Sequence, residues 1–200
     1  MAKSKTSRPA ATNVGARTDV RLTACPAGAC GVGFWTGHAR GAQGRRARSN
    51  EVIVGSHKGD KCMFEVGGEC HCGNIRIQLG LLEMPGSYNP RVCNCDFCVK
   101  HDAAYISDAR GYLRLQIADP QQSSTFRQGD ELAEMLLCSR CGALVGATYR
   151  DNGQTFATVN VRLIRGTAFG AEQPVSPKNL SSGEKVLRWA KLWFRDVLIS

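Results

Sequence analysis

The chain has 200 residues, 42% of them hydrophobic, which suffices for one compact domain with its own core. Residues 1–60 carry ten Lys and Arg against three acidic residues, whereas residues 61–200 carry sixteen against fourteen, so the net charge of +9 belongs mainly to the first segment. The near-neutral remainder argues against a nucleic-acid partner, and no apolar run approaches the roughly 18 residues of a membrane-spanning helix, so no membrane partner is expected.

Residues 1–62 are predicted to be a disordered basic leader, because a segment rich in Gly, Ala, Arg and Ser buries too little apolar surface to offset its ordering entropy. Cys25 and Cys30, spaced C-x4-C, and Cys62 lie within it. We interpret them as incidental thiols, with a third metal site as the alternative. The scattered arginines resemble an organellar transit peptide. The interpretation that we favour is translated upstream DNA, with Met63 as the true start.

The following hundred residues read as a mainly antiparallel β domain. Apolar and polar residues alternate, or β-branched residues cluster, in five stretches: 74–79, 104–107, 112–117, 143–149 and 155–164. Arg110-Gly111 predicts a hairpin between the second and third stretches. Asp151-Asn152-Gly153 predicts a tight turn between the last two.

The last part of the chain changes to a helical period. Apolar residues recur at helical spacing after two serines that suit an N-cap: Val186, Leu187, Ala190, Trp193 and Phe194. An amphipathic helix is therefore predicted over residues 181–196. We expect it to pack on its own domain, although a helix rich in Trp would also suit a membrane surface or a partner.

Seven of the ten cysteines fall in three short motifs: Cys70-His71-Cys72-Gly73, Cys93-Asn94-Cys95-Asp96-Phe97-Cys98 and Cys138-Ser139-Arg140-Cys141-Gly142. With no secretory signal evident, a reducing, cytoplasmic location is expected, where cysteines serve as metal ligands or reactive thiols rather than disulfides. C-x-C and C-x-x-C spacings let pairs of sulfurs reach one ion, and a following glycine takes the positive φ of such a turn.

Seven sulfur ligands divide naturally into four and three. Four thiolates complete a tetrahedral structural zinc site, whereas three leave a position for water or an external ligand. The prediction is two Zn²⁺ per chain: a closed site of Cys70, Cys72, Cys138 and Cys141, and an open, catalytic site of Cys93, Cys95 and Cys98. The net negative charge of seven thiolates and two zinc ions would be offset by the nearby cations Arg91, Lys100 and Arg140.

Two alternatives stay open at this point. A single zinc ribbon would use only the C-x-x-C pairs at Cys95/Cys98 and Cys138/Cys141 and would leave the other three motif cysteines unused. His101, which follows the open-site triplet, could carry a proton or orient a bound ligand. His71 lies between two cysteines that share a side, so we expect it to point away from the metal.

The three motifs resemble those of the glutathione-dependent formaldehyde-activating enzyme family, which includes the centromere protein V domain. The resemblance rests on Gly68-Glu69-Cys70-His71-Cys72-Gly73 and on the two later motifs, in the same order and at similar separations. It implies a β-tent fold of twisted antiparallel sheets organised by zinc, with the zinc-binding domain at 65–176. By resemblance the four-cysteine set is structural zinc and the three-cysteine set catalytic zinc. His101-Asp102-Ala103-Ala104-Tyr105 departs from the family pattern beside the open site.

The resemblance implies a zinc-dependent carbon–sulfur lyase, similar to S-hydroxymethylglutathione synthase. Such a protein binds a thiol such as glutathione and handles its adduct with formaldehyde or another small aldehyde. The alternative is a non-catalytic, zinc-stabilised binding module, or a glutathione carrier, in which the surface carries the function.

Overall fold

The chain is mainly β-strand, as the alternation of apolar and polar residues predicts. The computed structural model describes the backbone of Arg21–Leu22 and all of residues 63–200. The strands of this part are β1 (Arg21–Leu22), β2 (Phe64–Glu69), β3 (Ile75–Leu81), β4 (Arg91–Cys93), β5 (Ala104–Ile106), β6 (Tyr112–Ile117), β7 (Ser123–Arg127), β8 (Glu134–Cys138), β9 (Leu144–Asp151), β10 (Gln154–Asn160), β11 (Gln173–Val175) and β12 (Asp196–Ile199). The two α-helices of the described residues are α1 (Asp96–Lys100) and α2 (Ser182–Leu192).

The strands form two mixed sheets. The first sheet has the order β1-β2-β3-β6-β12 and the second the order β11-β4-β5-β10-β9-β8-β7. Neighbouring strands are antiparallel except that β12 is parallel to β6 and β11 is parallel to β4. The predicted mainly β, mainly antiparallel arrangement is therefore confirmed, except that one edge of each sheet carries a parallel strand. Parallel neighbours need long connections, and β12 is reached only after the chain has passed through α2.

The second sheet is covered on both faces. Along β5 the side chains of Ala104 and Ile106 face the first sheet, whereas Tyr105 faces the opposite side and packs in the cluster around α2. On β9 the neighbouring residues Leu144 and Val145 divide in the same way, with Val145 in the core between the sheets and Leu144 in the cluster around α2. This explains why all three residues of β5 are buried.

The core between the sheets is built from the apolar side chains of β3 and β6 and from the inner face of the second sheet. Its fully buried members include Ile75, Leu79, Leu81, Leu113, Val145, Val159 and Phe194. The strand predicted at 74–79 is confirmed as β3, with burial alternating over its first residues. The predicted turn at 151–153 is also confirmed, because β9 and β10 pair in antiparallel register around Asn152 and Gly153, which both have positive φ.

The predicted hairpin between residues 104–107 and 112–117 is wrong. β5 pairs with β4 and β10 in the second sheet, whereas β6 pairs with β3 and β12 in the first. The intervening turn carries the chain from one sheet to the other. Gly111 is required there because a β-carbon at this position would collide with the carbonyl oxygen of Gly80 on β3. The glycine is thus needed for the close approach of this turn to β3, and not for a two-residue hairpin.

Asp108 holds this crossing in place. Its carboxylate accepts hydrogen bonds from the N–H of Leu82 at 3.0 Å, from the N–H of Arg110 at 2.9 Å and from the hydroxyl of Tyr88. The side chain is nearly enclosed, with 7% of the residue exposed. One carboxylate therefore fixes the end of β3 and the turn that leaves β5.

The helix α2 begins at the serine pair as predicted. Ser181 is the N-cap and forms a capping box with Glu184, whose carboxylate accepts the N–H of Ser181 at 2.8 Å. The helix ends at Leu192, earlier than the predicted 196. Phe194 forms a β-bridge with Ala157 instead. Because Trp189 is buried in the cluster above the second sheet, α2 packs on the domain.

Several predictions concern residues outside those that the structure describes. They are the disorder of residues 1–62, of which only the backbone of Arg21–Leu22 is described, a third site at Cys25, Cys30 and Cys62, and a start at Met63. Within the described residues, no helix is long and apolar enough to cross a membrane.

The Asp108→Asn substitution should lower the free energy of unfolding by about 1–3 kcal/mol near neutral pH. Burial alone would raise the pKa of Asp108, but the Tyr88 hydroxyl and the two N–H donors lower it below 3.8. A carboxyl whose pKa is depressed on folding stabilises the fold above its unfolded pKa, and this contribution is lost as pH falls through the folded pKa. The difference between wild type and variant should therefore persist from neutral pH to about pH 5 and shrink below about pH 4, in urea unfolding at each pH.

The control for this prediction is Asp151→Asn, in the exposed β9–β10 turn. A difference between Asp108→Asn and wild type that stays constant on acidification would contradict the assigned role of the carboxylate.

Candidate metal centre

One group of sulfur atoms joins hairpins from the two sheets. Cys70 and Cys72 lie in the turn between β2 and β3, Cys138 ends β8, and Cys141 lies in the turn from β8 to β9. The four Sγ atoms all lie within 4.8 Å of one another. The structure thus brings together the four residues of the predicted closed site; they are called the four-cysteine cluster below.

The turns that present these sulfurs depend on a glycine after each cysteine pair. Gly73 has a φ of 75° and Gly142 a φ of 73°, a region that side chains with a β-carbon rarely adopt. The N–H of Gly73 donates to the carbonyl of Cys70 at 2.9 Å, and the N–H of Gly142 donates to that of Cys138 at 2.8 Å. The predicted use of positive φ at both glycines is confirmed.

The spacing of the sulfurs fits a tetrahedral ion. The Sγ of Cys72 lies 3.6 Å from the Sγ of Cys70 and 3.6 Å from that of Cys138. Zinc–sulfur bonds of about 2.3 Å at tetrahedral angles separate the sulfurs by about 3.8 Å. In addition, the N–H of Ile75 donates to the Sγ of Cys70 at 3.2 Å, the kind of contact that stabilises a metal-bound thiolate. The four-cysteine cluster therefore fits zinc without rearrangement.

The other three motif cysteines form a second group, called the three-cysteine cluster. Cys93 ends β4, Cys95 is the N-cap of α1, and Cys98 lies within α1. Their sulfurs also lie within 4.8 Å of one another. Helix α1, which the sequence did not predict, turns the chain so that the sulfur of Cys98 returns beside that of Cys93. The donor set of three thiols fits a soft metal ion with one position left over.

A cavity of about 160 Å³ opens beside the three-cysteine cluster. All three cysteines of that cluster line it, and none of the four-cysteine cluster does. Its floor is the outer face of the second sheet and one wall is α2, so the lining is largely apolar and aromatic. These apolar and aromatic residues include Tyr105, Ala133, Met135, Ala147, Val175, Pro177, Trp189 and Trp193.

Two side chains hydrogen-bond to the sulfurs of the three-cysteine cluster. The amide of Gln128 donates to the Sγ of Cys95 at 3.3 Å, and the hydroxyl of Tyr105 lies 3.3 Å from the Sγ of Cys98. Burial raises the pKa of Tyr105 above its usual value, so the hydroxyl keeps its proton and is able to donate it to the sulfur. Sequence analysis missed Gln128, which lies 33 residues from its partner in a loop without a motif.

In each cluster the thiols share protons unequally. The hydrogen bond from Cys98 lowers the pKa of Cys93 to about 6, whereas the same bond and then burial raise the pKa of Cys98. Burial raises the pKa of Cys138 to about 12. Burial acts in the same direction on Cys141, but backbone N–H donors outweigh it and bring its pKa to about 6. Each cluster therefore contains a thiol that is ionised at neutral pH.

The polar part of the cavity lining is strongly cationic. Its basic residues are Arg91, Lys178, Lys185 and Arg188, and its one acidic residue is Asp130. Asp130 accepts from the Nζ of Lys185 at 2.9 Å, so this pair is internally neutral. Burial first, and then the charge of Arg188, lower the pKa of Arg91 to about 10.

Other residues suggested by the sequence lie away from the cavity. The ring of His101 packs on Phe97, with 4.6 Å between the ring centroids, and His101 is absent from the cavity lining. His71 is exposed, as expected for a side chain that points away from the sulfurs. Of the three cations predicted to offset the cluster charge, only Arg91 lines the cavity; Lys100 and Arg140 are exposed.

Comparison with known proteins identifies the family of the chain through a family model. No curated protein matches the chain. A crystal structure of a Rhodobacter sphaeroides protein is 26% identical in sequence over 51% of this chain and 90% of that one, with a TM-score of 0.38. The family model of the glutathione-dependent formaldehyde-activating enzyme matches residues 65–179, a range that includes both cysteine clusters. The chain therefore belongs to the glutathione-dependent formaldehyde-activating enzyme family.

Proposed function

We propose that this protein is a zinc-dependent carbon–sulfur lyase that combines the thiol of glutathione with formaldehyde or another small aldehyde, and releases them in reverse. The main observation behind the proposal is that the two clusters differ in their number of sulfurs and in their access to a cavity. Four sulfurs provide a complete tetrahedral set, whereas the other three face a cavity. A metal site that keeps one position open toward a cavity is typical of catalysis rather than of structure.

In this proposal the four-cysteine cluster holds a structural zinc that organises a β-tent fold over residues 65–176. The ion would connect the turn between β2 and β3 to the turn between β8 and β9, and so join the two sheets. Bound by Cys93, Cys95 and Cys98, zinc would act as a Lewis acid that favours the thiolate form of an incoming thiol at neutral pH.

The reaction needs no oxidant or reductant. A carbon–sulfur bond forms between the thiol sulfur and the carbonyl carbon, the carbon–oxygen π bond breaks, and the proton released by the thiol ends on the new hydroxyl. The cavity would hold the two reactants together and exclude bulk water. Gln128 and Tyr105 would donate hydrogen bonds to the sulfurs of Cys95 and Cys98, which would stabilise the ionised sulfurs and hold them in position for the metal.

The alternative is a binding module or glutathione carrier that performs no chemistry. The same cavity would then receive the thiol alone. Adduct formation separates this alternative from the proposed reaction, because a carrier would bind glutathione without accelerating its combination with an aldehyde.

The first prediction concerns zinc content. Wild type should contain two zinc ions per chain, and both Cys138→Ser and Cys95→Ser should contain one, in metal analysis of the purified protein. Cys138→Ser should also lower the melting temperature much further than Cys95→Ser, because only the four-cysteine cluster connects the two sheets. One ion in the wild type, or equal destabilisation by both variants, would contradict the division into structural and open sites.

The second prediction concerns activity. Zinc-loaded wild type should accelerate the exchange between glutathione, formaldehyde and their adduct, measured by NMR with ¹³C-formaldehyde. Cys95→Ser should reduce the exchange to the uncatalysed rate. The variant should fold, because residue 95 is the N-cap of α1 and serine is a favoured N-cap. Val99→Ser, at an exposed position of α1 outside the cavity lining, is the control. If wild type gives no acceleration, the protein only binds the thiol.

The third prediction concerns Gln128. Gln128→Ala removes an N–H···S bond to Cys95 and should weaken zinc binding at the three-cysteine cluster by about 10- to 100-fold. The measurement is competition with a chromophoric chelator, which removes the more weakly bound of the two zinc ions first. Gln116→Ala, an exposed glutamine on β6, is the control. Unchanged affinity in Gln128→Ala would show that this bond does not tune the site.

A further inference from the structure

Two arginines in the cavity lack an acidic partner. Arg91 donates through one nitrogen to the hydroxyl of Ser107 at 2.6 Å and to that of Thr158 at 3.4 Å. Among the described residues, neither Arg91 nor Arg188 forms an ion pair with a carboxylate. Both side chains line the cavity beside the three-cysteine cluster.

Elsewhere the described fold pairs the partly buried Arg114, and several exposed arginines, with acids. Arg114 contacts Asp196 at 2.8 Å, and Arg162 contacts both Asp102 and Glu172. Even within the cavity, Lys185 is paired with Asp130. Because placing two like charges in one partly buried cavity is unfavourable, packing alone does not explain why Arg91 and Arg188 lie there without an acid.

The charge of the cysteine cluster offsets only part of this excess. Three thiolates and one Zn²⁺ carry a net charge of −1, whereas Arg91, Arg188 and Lys178 are three cations without an acidic partner in the cavity lining. The cavity therefore retains positive charge when the metal is bound. A guanidinium group binds a carboxylate through two parallel hydrogen bonds. A pair of arginines therefore binds a carboxylate better than it binds a halide or hydroxide ion.

We propose that Arg91 and Arg188 form a carboxylate-binding subsite next to the three-cysteine cluster, so that the protein selects reactants that carry a carboxylate. This inference rests on the proposed function, in which the cavity receives a thiol and a carbonyl compound. The carboxylate belongs either to the thiol, as in glutathione, or to the carbonyl compound, as in glyoxylate.

The test measures binding rather than turnover. Trp189 and Trp193 line the same cavity, so their fluorescence in the zinc-loaded full chain reports occupancy. The probes are glutathione against 2-mercaptoethanol, a thiol without a carboxylate, and glyoxylate against acetaldehyde. Arg188→Gln should weaken binding of the carboxylate-bearing probe by roughly 10- to 100-fold, the value of one or two charge-assisted hydrogen bonds, and leave its uncharged counterpart unchanged.

The control is Lys191→Gln, which removes one positive charge from an exposed position on the same helix and lies outside the cavity lining. Arg188→Lys should restore part of the affinity, because it keeps the charge and loses the paired hydrogen bonds. Weakening with glutathione alone assigns the carboxylate to the thiol, and weakening with glyoxylate alone assigns it to the carbonyl compound.

Three results would overturn the inference: unchanged affinity for both carboxylates, equal weakening for the charged and uncharged probes, or a loss of zinc from Arg188→Gln. The last would show that the arginines only balance the charge of the metal site. Failure of the proposed reaction is distinguishable, because a carrier without lyase activity would still discriminate between the probes.

Discussion

Sulfur atoms 3.6 Å apart, drawn from hairpins in different sheets, impose the main constraint on this molecule. Four thiols at such spacing are stable only if they share protons or share a cation, and the tetrahedral dimensions favour a cation. Because the turn between β2 and β3 belongs to the first sheet and the β8–β9 turn to the second, this contact fixes where the two sheets meet. The core between them is then closed by Phe194, which is fully buried and bridges to β10.

The second sheet connects that core to the cavity. Alternate side chains of β5 and β9 enter the core on one face and the cavity on the other, so the floor of the candidate site is as rigid as the core itself. The three-cysteine cluster lies beside this floor, on β4 and α1. Helix α2 and the residue that follows it form a wall of the cavity. Their tryptophans, Trp189 and Trp193, stack with 4.9 Å between the ring centroids. A reactant in the cavity would therefore rest against the second sheet and α2, and would also meet the loop residues Gln128 and Asp130.

The sequence predicted features that depend on local spacing and missed those that depend on long-range packing. The grouping of the seven cysteines, the turn at Asn152-Gly153 and the cap at Ser181 each follow from residues a few positions apart. The crossing at Asp108, the parallel edge strands and the short helix α1 do not, because they are decided by contacts with distant strands. Gln128 and Arg188 belong to the same class: nothing near them in sequence indicates that they face a cysteine cluster.

The cationic residues of the cavity lining would favour binding of an anion, but they lower the stability of the fold when no anion is bound. A domain optimised only for stability would place an acid beside Arg91, as it does beside Arg114 and Arg162. Leaving two guanidinium groups in one cavity without an acidic partner costs stability, and such unfavourable arrangements persist mainly at functional sites. The cost is removed when an anion enters, so ligand binding should stabilise the protein by more than apolar contacts with Trp189 and Trp193 would alone. The positive charge of the cavity is therefore balanced only when a negatively charged ligand is bound. The charged residues of the lining would in this way determine which substrates bind.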